Sequence, residues 1–119
     1  MPIDEDTDDI KVLVAMTEEE LLRRLAQAEL GKEAFPMDPR DLLERGRRLL
    51  NARIERVQGA ICGNSHLRAF AEGKNDTAEI ALEILKYISA LAAIVAPVTL
   101  SALIAKRGLR NICRAHWGS

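Results

Sequence analysis

Apolar residues recur at helical spacing along most of the chain, and residues 77–107 carry the longest such run. Ile80, Ile84, Tyr87, Ile88, Leu91, Ile94, Val95 and Val98 fall on one side of a helix, with Glu79, Glu83 and Lys86 opposite. Asp76 and Glu79 make a capping box that starts this helix near Thr77. Beyond Lys86 the polar side gives way to Ser89, Ala92, Ala93 and Ala96, so the second half has no face that prefers water. A helix of that kind lies in a core or against lipid. Pro97 lacks the N–H that would bond Ala93, and a kink is expected there rather than a loop. No turn-forming cluster flanks the proline, and Ala96 is a poor cap for a new helix. The bend returns the second half over the core, and Lys106, Arg107 and Gly108 make a good helix stop.

The pattern elsewhere predicts two further long helices. Thr17 and Glu20 form a second capping box, opening a helix over residues 17–30 with Leu21, Leu22, Leu25 and Ala28 as its apolar stripe and Gly31 as its end. Phe35, Pro36 and Met37 read as a connector with two side chains to bury. Asp38 as cap and Pro39 at the first position open the helix Pro39–Cys62. One side of it carries Leu43, Leu50, Ile54, Val57 and Ile61. A second stripe of Leu42, Leu49 and Ala60, framed by Arg45, Arg53 and Arg56, lies roughly 100° round and calls for a second neighbour. Leucines framed by arginines suit a protein interface, and snorkelling arginines over ordinary packing are the alternative.

Shorter elements complete the chain. Ile10–Ala15 reads either as a lone strand or as the lead-in to a helix. Gly63, Asn64 and Ser65 break the chain before a short helix over residues 66–72, and residues 73–76 turn into the central run. Leu109, Ile112, Cys113 and Trp117 can share one face of a terminal helix or docked tail.

Composition agrees with an all-α fold, a small helical bundle with a kinked apolar central helix. The chain has 119 residues, 48% of them hydrophobic, but only four aromatics, so aliphatic residues that favour helix must fill its core. The first nine residues contain five acids, Asp4, Glu5, Asp6, Asp8 and Asp9, and are expected to form a disordered tail ahead of a single helical domain over residues 10–119. An acidic start does not suit a cleavable signal peptide, and the cytoplasm is the expected compartment. Two cysteines are too few for a disulfide scaffold. Six arginines between Arg40 and Arg56 are diluted by Asp41, Glu44 and Glu55, so nucleic acid is not an expected partner.

Two constellations bear on chemistry. Cys62 with His66 and Cys113 with His116 supply thiolate and imidazole in two short segments, a donor set suited to structural zinc. The alternatives are a Cys62–Cys113 disulfide, or cysteines buried as small apolar residues with both histidines exposed. No motif supports a cysteine nucleophile, no glycine-rich phosphate loop follows a strand, and no small-molecule substrate is evident. The second constellation is the uncharged stretch 88–104, whose seventeen residues reach the lower bound for a membrane span, although five are Ala, three Ser or Thr and one Pro.

The expected function is therefore a non-catalytic helical interaction or adaptor module, self-associating or docking a protein partner through Leu42, Arg45, Leu49, Arg53 and Arg56. The alternatives are a small membrane-active effector that inserts the 77–107 helix, and a zinc-stabilised helical domain. No cofactor is expected, with structural zinc as the one alternative.

Overall fold

Side-chain caps set where four of the eight described helices begin. The computed structural model describes residues 10–31, 38–91, 94 and 96–117. The acidic segment 1–9, the connector with Phe35, Pro36 and Met37, and Val95 lie outside the described residues. The helices are α1 (Ile10–Ala15), α2 (Glu18–Leu30), α3 (Pro39–Cys62), α4 (Ser65–Glu72), α5 (Thr77–Ile88), α6 (Pro97–Arg107), α7 (Leu109–Ile112) and α8 (Arg114–Trp117), with no strand among the described residues. The run Ile10–Ala15 is thus helical, and the all-α class is as expected.

Before α2, Thr17 Oγ1 accepts from the Glu20 N–H at 3.1 Å while Glu20 Oε1 accepts from the Thr17 N–H at 3.4 Å. Asp38 caps α3 by accepting from the Arg40 N–H at 2.8 Å, with Pro39 at the first helical position. The two helices meet across Leu21, Leu22, Leu25 and Leu50, all buried. Ala26, not Ala28, completes the buried stripe of α2, because Ala28 is exposed. Gly46 lets the backbones touch: a Cβ built there lies 2.2 Å from the Leu22 carbonyl oxygen.

The central run is two helices rather than one kinked helix. α5 ends at Ile88, the described residues between it and Pro97 are not helical, and α6 starts afresh. Ala96 takes the left-handed conformation, φ 54° and ψ 54°, with no side-chain cap. That geometry costs a non-glycine residue roughly 1–2 kcal/mol, and Pro97 is pre-set for the first turn that follows. Sequence reasoning assigned a continuous helix because it excluded Ala96 as a break; burial of the elements on either side outweighs the local cost.

The true centre of the fold is α6. Val98 to Ala105 are all buried, with Leu100, Leu103 and Ile104 fully so, and α1, α2, α5 and α7 pack around them. The C-terminal end of α6 has two distant partners. Lys106 Nζ donates to the Val14 carbonyl at 2.8 Å, and Arg107 pairs with Glu18, the first residue of α2. The helix is apolar all round because it is surrounded by protein. Among the described residues no helix is long and apolar enough to cross a membrane, so the 77–107 insertion helix is not present as a single element.

One polar group inside α6 works against the packing. Ser101 is fully buried, and among the described residues its Oγ has no hydrogen-bond partner. An unsatisfied buried hydroxyl costs about 1–3 kcal/mol, and Ala is also the better helix former. Ser101→Ala is expected to stabilise the fold by about 1 kcal/mol, read as a higher midpoint in urea with an unchanged slope.

Candidate interaction groove

The outer side of α5 and the neighbouring α4 border an open, largely apolar surface. Asn64 caps α4 by accepting from the Leu67 N–H at 2.9 Å, and Leu67 is buried, which anchors the helix and leaves Phe70 half-buried beside α5. Asn75 Nδ2 donates to the Phe70 carbonyl at 2.7 Å and fixes the turn that follows. The capping box at Asp76 and Glu79 then starts α5, with N–H to carboxylate distances of 3.0 and 2.8 Å.

Between these helices lies a hollow of about 520 Å³ lined by Phe70, Leu82, Leu85 and Ser89 with Glu79, Glu83 and Lys86. A second hollow of about 400 Å³ continues from Leu85 and Ser89 past Leu91 and Ile94 to Val98. The two hollows share Leu85 and Ser89 and make a groove along the outer side of α5. Leu82, in the first of them, is 46% exposed, one of only two large apolar side chains so exposed among the described residues. Glu83 lies at the rim with its side chain 11% exposed, between His66 Nε2 at 3.3 Å and Lys86 Nζ at 3.1 Å. Its negative charge is thereby held close to the cation of Lys86, which remains 70% exposed.

The residues expected to form an interface on α3 do not gather into an accessible face. Leu42 is 6% exposed and is part of the packed interior, while Leu49 is half-buried against the core. Arg53 donates to Glu29 of α2 at 2.9 Å, so it bridges two helices of the same chain. Arg45 and Arg56 are exposed. Leu42 of the second stripe is buried within the chain, as are Leu50 and Val57 of the first.

Two of the four candidate zinc ligands are joined to each other, the disulfide alternative that the spacing left open. Cys62 and Cys113 form a disulfide, which removes both thiolates that a tetrahedral site would use. His66 turns to Glu83, His116 is exposed, and no group of three or more His, Cys, Asp or Glu among the described residues could hold a metal ion.

Sequence reasoning missed the groove, although a signal for it was present. Leu82 stands on the charged side of α5 between Glu79 and Lys86, off the buried stripe, and Phe70 is one of the few aromatics in the chain. No protein-family model, curated protein or solved structure matches this chain.

Proposed function

We propose that the protein is a non-catalytic interaction module that self-associates through the outer face of α5. The observation that carries this reading is the exposed Leu82 in an apolar hollow, with Glu79 on one side of it along α5 and Lys86 on the other. Glu79 and Lys86 are both exposed, two helical turns apart, and their midpoint falls beside Leu82. A second copy lying antiparallel about a two-fold axis at that midpoint sets Glu79 against the partner's Lys86 and Lys86 against the partner's Glu79. The two Leu82 side chains then meet at the axis, and the half-buried Phe70, Leu85 and Ile94 close around them. This is an isologous contact, in which one patch serves both sides.

Light scattering coupled to size exclusion tests it across a range of protein concentrations. The expected mass at high concentration is twice the 13.2 kDa of one chain. Lys86→Glu turns two attractions into two repulsions and is expected to raise the dissociation constant by about tenfold, or about 1.4 kcal/mol. Adding Glu79→Lys to that variant restores complementarity and recovers most of the loss, whereas Leu82→Glu abolishes association. A monomer at every concentration, or a mass indifferent to these changes, would refute the reading.

A further inference from the structure

The Cys62–Cys113 disulfide joins the last residue of α3 to the junction of α7 and α8, across 51 positions of sequence. The contacts that hold the terminal segment fall on the same region. Trp117 Nε1 donates to the Cys62 carbonyl at 2.9 Å, and Gln58 Nε2 donates to the Ile112 carbonyl at 3.2 Å. The Arg68 guanidinium lies 4.9 Å from the centre of the Trp117 ring, and Arg110 pairs with Glu72 at 3.5 Å. Arg68 and Glu72 belong to α4, which begins three residues after Cys62, so the terminal segment braces that helix as well as closing over α3.

Apart from the disulfide these ties are weak. α7 and α8 have four residues each, far below the length at which a helix persists alone. Arg110 is 79% exposed, so its ion pair is screened by water. Leu109 is buried beside α6 and anchors the start of the segment, and Gly108 just before it has φ +93°, a conformation only glycine takes without strain. Residues beyond Leu109 therefore have a fixed point to swing from, and besides the covalent bond they are docked by the apolar contacts of Ile112 and Trp117 and by a few polar ties.

We propose that this disulfide is a redox latch: oxidised, it docks residues 110–117 on α3 and α4; reduced, it lets them leave and loosens α4. The co-reactant is a dithiol. Its thiolate attacks one sulfur of the pair, forming a mixed disulfide while the other cysteine leaves as a thiolate and takes up a proton. The dithiol's second thiolate then displaces the first cysteine, which is protonated in turn, and two electrons pass from the dithiol to the protein. Cys62 is 5% exposed and Cys113 fully buried, so exchange proceeds through transient opening of the terminal segment, the kind of local unfolding that short, lightly held elements permit. Phe70 of α4 walls the groove, and the latch's effect on that groove rests on the self-association reading. The release of the segment does not.

Trp117 is the only tryptophan in the chain and reports directly on docking. The experiment compares the oxidised full chain with the same protein in excess dithiothreitol, following tryptophan emission, amide hydrogen exchange and far-ultraviolet circular dichroism. Reduction is expected to red-shift the emission and to speed exchange in residues 110–117 by about tenfold or more, with a smaller rise in α4 and none in α2. Reoxidation reverses the change, and the Cys62→Ser, Cys113→Ser double variant behaves as the reduced protein with or without reductant. Unchanged emission and exchange on reduction, cooperative loss of all helicity, or two free thiols in the air-oxidised protein would each overturn the proposal. The same series on the Leu82→Glu chain separates the two readings, because the latch must work there even where self-association is absent.

Discussion

Gly46→Ala is expected to destabilise the fold by about 3 kcal/mol, although alanine is the better helix former by about 1 kcal/mol. The new methyl group would lie 2.2 Å from the Leu22 carbonyl oxygen and 2.7 Å from its carbon. Those are backbone atoms, so no side-chain rotation relieves the overlap. The helices α2 and α3 must separate, and the contacts among Leu21, Leu22, Leu25 and Leu50 loosen with them. Gly59, on the same helix, supplies the control: a Cβ there meets nothing within 4 Å. Gly59→Ala should therefore stabilise by up to about 1 kcal/mol. Thermal unfolding followed by circular dichroism gives both values, and equal signs for the two substitutions would show that the close approach at Gly46 is not what holds the pair together.

The second large effect concerns Leu42. A carboxylate at a position only 6% exposed loses its water without gaining a partner. Leu42→Glu is expected to cost about 3 kcal/mol or more and to lower the melting temperature by about 10 °C or more. Leu49→Glu, at a half-buried position, should cost clearly less, and Leu82→Glu should leave the melting temperature of the monomer nearly unchanged while removing association. This ranking separates an interior position from a docking surface. A Leu42→Glu chain that melts like the unmodified protein but fails to associate would return the interface to α3.

How much could be read from the sequence depended on whether the information was local. Thr17 with Glu20, Asp38 with Pro39, and Asp76 with Glu79 marked three helix starts because capping is settled within four residues. The terminal face of Leu109, Ile112, Cys113 and Trp117 was likewise legible from spacing, and the structure buries or half-buries all four. Gly46 gave no such signal, since a glycine inside a helical pattern looks like a weakness until the neighbouring backbone is in view. Ala96 misled for the opposite reason: its left-handed backbone is imposed by the packing of α5 and α6, against its own preference. For the cysteines, spacing alone left zinc, a disulfide and simple burial all open, and only the approach of α3 to the terminal segment separates them.

The ties from α6 back to the start of the chain bear on how the protein comes into being. Lys106 reaches the carbonyl of Val14, and Arg107 reaches Glu18, contacts spanning 92 and 89 positions. A six-residue α1 has no means of holding itself together, and the apolar stripe of α2 has only part of its cover before α6 is made. On the ribosome α1 and α2 accordingly wait, with leucines incompletely covered, until Lys106 and Arg107 have been synthesised. Truncated products that stop short of Arg107 are thus expected to be substrates for chaperones and proteases rather than stable fragments.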